Sequence, residues 1–320
     1  MRKIIILYIL ALLSVSCIHQ YPDQNTTQVN VFIDLEVDSS LPLYQEITRT
    51  TGTAQKRRFI IDVLHNGKVM AEKRLLTTEA EETGEGKYSI PLSLQLEAQE
   101  YTFVVWNDYV PAQEGSHAHF ITEDLSNVFL HEDYCNEPLH REAFCGTADA
   151  DLTAYRDMEN AQVRQHILLK RPQAKYAIIS TDMEEFLTRI QAKGKPPGNY
   201  RAKVSYEYYL PTGYNVTGNV LCQSRAGMGF TVPCTLEADE AGECGLTEDF
   251  VLMGAEDTYI SLTLEIINAE EKVVSRTTGV QVPLKQGHLT LVKGKFLTTM
   301  MNPGISIDPG YNGEFNIVIK

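Results

Sequence analysis

Apolar and polar residues alternate from Gln28 to Asp38: Val29, Val31, Ile33, Leu35 and Val37 share one face, and Phe32 is the one apolar residue on the other. A period of two over that length predicts a strand with one buried face. Residues 59–64 (FIIDVL) and 69–75 (VMAEKRL) flank His65-Asn66-Gly67-Lys68, and Asn-Gly predicts a tight hairpin because both residues tolerate positive φ. Residues 39–57 are mostly polar and end in the basic cluster Lys56-Arg57-Arg58, which predicts a loop before the strand at Phe59. Residues 88–96 and 101–106 add two strands. Residues 111–150 hold few apolar positions and half of the eight histidines, which predicts a long excursion between sheet elements.

The strand signal recurs at 163–170, 174–180, 201–210, 230–236, 250–253, 259–267, 272–282, 289–296 and 315–319. Pro172 cannot donate to a ladder, so it is expected at a strand start or edge. One helix is predicted, with Asp182 as N-cap, Glu185 at the third helical position, and Phe186, Leu187 and Ile190 on one face. Roughly a dozen short strands without alternating helices imply an all-β chain of antiparallel sandwiches rather than a βαβ sheet. The length suits two domains divided between residues 150 and 175.

The first residues, MRKIIILYILALLSVSC, run from two basic residues through an apolar stretch to small residues and a Cys. That order is a secretory signal, and the apolar run is too short to span a bilayer comfortably. The stretch Leu13-Ser14-Val15-Ser16-Cys17 looks like a bacterial lipobox, although Leu13 stands four places before the Cys instead of three. On that reading residues 1–16 are removed and Cys17 is the lipidated first residue, which places the chain on the outer membrane, exposed at the cell surface. The alternative is an ordinary signal cut near an incidental Cys. Residues 17–27 are polar, contain Pro22 and read as a tether.

With 28 Lys and Arg against 42 Asp and Glu, the formal net charge is −14. That balance excludes a nucleic-acid groove, which needs clustered cations. Loss of Arg2 and Lys3 with the signal makes the exported chain more acidic still. Cys135, Cys145, Cys222, Cys234 and Cys244 are left after Cys17, an odd number that cannot all pair within one chain. None has the Cys-x-x-Cys spacing of a zinc ribbon, so no metal or other cofactor is expected.

Candidate chemistry is sparse. His117 and His119 would share one face of a strand and could offer two metal ligands, with His131 and His140 nearby, but a polar loop explains them as well. Glu184-Glu185 suit the positive end of their helix, and pairs such as Asp149/Asp151 arise by chance in so acidic a chain. There is no His-Glu-x-x-His and no Gly-x-Ser-x-Gly, so the chain is not expected to be an enzyme. Trp106 and the tyrosines at 200, 206, 208, 209 and 214 could form a platform for stacking sugar rings, with Trp106 and Tyr208 the leading candidates. Tyrosine on a partly solvated strand is the plainer explanation.

Three segments in order, residues 101–109 (YTFVVWNDY), 169–176 (LKRPQAKY) and 304–317 (GISIDPGYNGEFNI), together with the lipobox and the leading strand, resemble the fimbrillin-like lipoproteins of the Bacteroidales, a superfamily of pilus subunits and pilus anchors. The resemblance implies two tandem transthyretin-like antiparallel β-sandwich domains with one short helix, which would divide the chain at 28–165 and 166–320. It implies a structural or adhesive fimbrial role at the surface, as subunit, anchor or accessory protein, with no catalytic residues. In polymerising members a protease cuts after a basic residue beyond the first strand, and the vacated groove accepts a strand from the next subunit. Here Arg49, Arg57 and Arg58 occupy that region. The alternative of another class is a glycan-binding surface lipoprotein of a polysaccharide-uptake system.

Overall fold

The alternating segment forms β1 (Gln28–Val37), and its five apolar side chains are all buried. The computed structural model describes residues 27–37, 55–76, 81–84, 87–111, 119–131, 141–192, 199–299, 305–307 and 317–319. The hairpin predicted at Asn-Gly joins β2 (Gln55–His65) to β3 (Lys68–Leu76), with Asn66 at φ 51° and Gly67 at φ 73°. The next strands are β4 (Glu81–Gly84), β5 (Lys87–Glu97) and β6 (Glu100–Pro111). Residues 111–150, expected to be an excursion, contain β7 (Phe120–Ile121), β8 (Val128–Leu130) and most of β9 (Ala143–Asp151). The strand β10 (Gln162–Leu169) follows.

These strands make two four-stranded sheets, ordered β10-β1-β5-β4 and β3-β2-β6-β9. Val31, Ile33 and Leu35 of the first share one core with Phe59, Ile61, Phe103 and Val105 of the second. The sheets meet along one side, where Cys145 and Lys170 exchange two backbone hydrogen bonds of 2.8 Å. Gly146 permits that approach, because a Cβ there would stand 2.4 Å from the Leu168 carbonyl oxygen.

The second half contains β11 (Gln173–Ser180), α1 (Met183–Ala192), β12 (Tyr200–Tyr206), β13 (Leu210–Asn215), β14 (Val220–Arg225), β15 (Gly229–Cys234), β16 (Cys244–Leu252), β17 (Thr258–Ile267), β18 (Val273–Leu284) and β19 (Leu289–Gly294). Pro172 immediately precedes β11, where a missing donor costs nothing. A three-stranded sheet, β16-β11-β19, faces a four-stranded one, β15-β12-β17-β18, over a core that includes Tyr176, Ile178, Val204, Leu246, Leu262, Val280 and Val292. Phe186 and Ile190 of α1 join that core, Phe186 lying edge-on to Tyr200 at 5.6 Å. The Asp182 carboxylate holds the chain after β19, accepting from the Leu297 N–H at 3.2 Å and the Thr298 N–H at 2.8 Å. A short antiparallel pair, β20 (Ile305–Ile307) and β21 (Ile317–Ile319), follows.

The architecture is therefore all-β with a single α-helix among the described residues, in sandwiches that are mostly antiparallel. Two strand pairs are parallel, β1 with β10 and β11 with β19. Their partners are far apart in sequence, so no hairpin dictates an antiparallel sense. A third layer, β14-β13-β8-β7, combines residues from both halves and covers the outer face of β2 and β6.

Candidate functional site

The N-terminal strand β1 occupies an interior position in its sheet. On one side it pairs parallel to β10, from Asn30 opposite Gln162 to Val37 opposite Leu169, and on the other antiparallel to β5, with an irregularity between Phe32 and Ile33. Val29, Val31 and Ile33 have no exposed surface, and Leu35 and Val37 have almost none. Burying five such side chains is worth on the order of 10 kcal/mol, set against a backbone-ordering cost of similar size for ten residues.

The other face of β1 carries polar contacts that fix its register against β10. Both Asp34 carboxylate oxygens accept from Arg164 at 3.1 Å, the Arg164 guanidinium lies 5.6 Å from the Phe32 ring centre, and Glu36 lies 3.2 Å from His166. Sequence reasoning did not pair these segments. The usable signal was the charge complement at a period of two, Asp34 and Glu36 on one run against Arg164 and His166 on the other. Between β5 and β10, β1 thus has two paired backbone edges, an inward row of buried apolar side chains and a charged outer face.

Of the residues singled out by sequence, Cys17, Arg49, His117, Cys135 and His140 lie outside the described residues. Arg57 and Arg58 are not in a loop: both are in β2, opposite Tyr109 and Asp108 of β6. Arg57 donates to the Tyr109 hydroxyl at 2.8 Å, and Arg58 makes a two-pronged contact with the buried Asp108 at 2.8 and 2.5 Å. These cross-strand partners carry the strand back to Gln55. Trp106 and Tyr208 do not form one platform. Trp106 is fully buried beneath the third layer, edge-on to Phe120 at 5.2 Å, and shows no face to a ligand, whereas Tyr208 is exposed.

The remaining candidates have structural partners. Glu185 pairs with Arg189 one turn along the helix at 2.5 Å, and Asp151 accepts from the Thr153 hydroxyl at 2.6 Å and its N–H at 2.9 Å, which hold its carboxyl below the usual range. Cys145, Cys222, Cys234 and Cys244 are free thiols. Burial pushes Cys145 and Cys234 up to about 12 and Cys244 up to about 11. Such thiols stay protonated at neutral pH and are poor nucleophiles. Among the described residues no three His, Cys, Asp or Glu stand together as a metal site, and no helix is long and apolar enough to cross a membrane.

Fold and site together define an all-β sandwich protein in which the first described strand is an interior member of its sheet, paired on both edges and buried on one face. The chain belongs to the family of unknown function DUF6562, whose profile matches residues 22–320. No curated protein matches it. Among solved structures it is similar to the fimbrial anchor protein Mfa2 of Porphyromonas gingivalis, at 12% identity over 78% of this chain and 82% of that one, with a TM-score of 0.39. A fimbrial assembly protein of Parabacteroides distasonis matches at 11% identity over 84% and 91%, with a TM-score of 0.39. A candidate cell-adhesion protein of Bacteroides eggerthii matches at 9% over 92% and 98%, with a TM-score of 0.41. No residue of this chain takes a role from them.

Proposed function

We propose that this chain is a surface lipoprotein of a fimbrial system, tethered through Cys17 and joined to other subunits by strand addition as a subunit, anchor or accessory protein. The class follows from the sequence resemblance. The observation that carries it is the seat of β1: an N-terminal strand with five alternating buried side chains, held between β5 and β10 and attached to the rest of the fold through residues 38–54. Release of β1 opens a groove that an identically patterned strand fills.

Arg49 is the processing position that this geometry favours, because Arg57 and Arg58 are engaged within a sheet. Brief treatment of the purified protein with an arginine-specific protease tests the proposal. The expected result is a new N-terminus at Thr50, followed by a ladder of oligomers that survives mild detergent and is lost in Arg49→Ala. A monomer after complete cleavage at Arg49 overturns polymerisation. Metabolic labelling with a fatty acid, lost in Cys17→Ala, tests the tether.

A further inference from the structure

Tyr209, one of the tyrosines singled out in the sequence, lines a cavity in the second half of the chain. The cavity has a volume of about 490 Å³ and is lined by Tyr209, ahead of β13, Tyr259 of β17, Asn219, and the acidic turn before β17. Its floor is apolar, with Val251 and Ile260 buried. Ten large hydrophobic residues are exposed among those described, and four of them, Tyr209, Val220, Leu221 and Tyr259, line this one cavity. Tyr209 and Tyr259 are 71% and 61% exposed, so their rings remain available to a ligand.

The polar groups at the cavity are arranged rather than scattered. Asn219 is held in the left-handed region at φ 50°, and its side-chain oxygen accepts from the Tyr214 hydroxyl and from the Gln286 amide at 3.3 Å. With its oxygen occupied, Asn219 has its NH₂ group left to donate. Glu256 adds an exposed carboxylate that accepts hydrogen bonds. Aromatic faces for apolar C–H surfaces, one fixed donor and one carboxylate acceptor match the two chemistries of a pyranose ring, and the volume is in the range of small-ligand sites. A docked peptide strand would instead need apolar pockets every second residue. The neighbouring β14 is exposed along its length and provides none.

The geometry points to a carbohydrate site at Tyr209, Tyr259 and Asn219 that takes neutral or amine-bearing oligosaccharides and rejects uronate-bearing ones, because Glu256 repels a ligand carboxylate. This goes beyond the fimbrial reading and fails separately from it. The test applies the full-length protein to an array of neutral, amine-bearing and uronate-bearing oligosaccharides, followed by calorimetry on any ligand retained. The expected result is retention of neutral or amine-bearing glycans, a loss of at least tenfold in affinity in Tyr209→Ala and in Tyr259→Ala with unchanged thermal midpoints, and a similar loss in Asn219→Asp, which keeps the oxygen that accepts from Tyr214. Glu256→Gln should admit uronate-bearing glycans. Absence of glycan retention, unchanged binding in the double tyrosine variant, preference of the native protein for uronates, or retention of polypeptides alone would each overturn the assignment.

Discussion

Arg141 and Asp249 are both almost sealed from water, and each holds the other in an ion pair across 108 residues of chain. Asp249 also accepts from the Tyr206 hydroxyl at 2.5 Å, and Tyr206 shares a hydrogen bond of 2.9 Å with Tyr176. Removing one member strands the other's charge in a dry site, so Arg141→Met is expected to cost about 3–5 kcal/mol in denaturant unfolding. Adding Asp249→Leu should recover most of that loss, because an apolar pair needs no compensating charge. The buried thiols make a second prediction at this scale. Raised folded-state values mean that the folded chain keeps protons the unfolded chain gives up, so stability is intact below pH 9 and declines as the pH climbs towards the folded values near 12. Cys145 and Cys234 should each contribute about 1.4 kcal/mol per pH unit to that decline, a slope that the variant with both changed to Ala should lack. Individual residues were the least legible part of the sequence. Trp106 was a candidate ligand platform and Arg141 lay in a stretch expected to be an excursion, because the layer that buries Trp106 and the carboxylate that pairs with Arg141 come from distant parts of the chain.

Whole elements were legible where one face is buried and the other wet. β1 was predicted nearly to its ends and the β2–β3 hairpin at its turn, since alternation and Asn-Gly chemistry are local properties, whereas β2 begins four residues before the strand expected at Phe59. β9 was missed because its pattern depends on small residues: Ala143, Gly146, Ala148 and Ala150 do not stand out as apolar, and Gly146 is there for a close approach. β14 was missed because it is exposed on both faces and has no alternation to find. Two measurements follow from these elements. Gly146→Ala should destabilise by about 1–3 kcal/mol, read from the shift in denaturant midpoint, because the added methyl meets the backbone of Leu168 and not a side chain that could turn away. Ile33→Ala should cost about 2–5 kcal/mol by the same measurement, the usual range for a fully buried large-to-small change. A synthetic peptide of residues 28–37 added to a chain that lacks them should restore the folded signal, and the Ile33→Ala peptide should do so only at higher concentration.

At the scale of the molecule, one apolar cluster draws only on residues 29–169 and another only on residues 174–297, while the layer built from β7, β8, β13 and β14 belongs to both halves. The two cores part between residues 169 and 174, whereas a boundary between 165 and 166 falls inside β10, whose Ile167 and Leu169 belong to the first cluster. Thermal unfolding should be a single calorimetric transition in the native protein and should separate into two in Arg141→Met, whose lost ion pair crosses that junction. The parallel placement of β1 beside β10 also has a mechanical meaning. A pull applied at Gln28 along the axis of β1 is perpendicular to the hydrogen bonds on both of its sides. Those bonds are then loaded in shear and must fail together, whereas a strand pulled sideways would unzip one bond at a time. While β1 stays in its sheet, it is the strand placed to bear that tension.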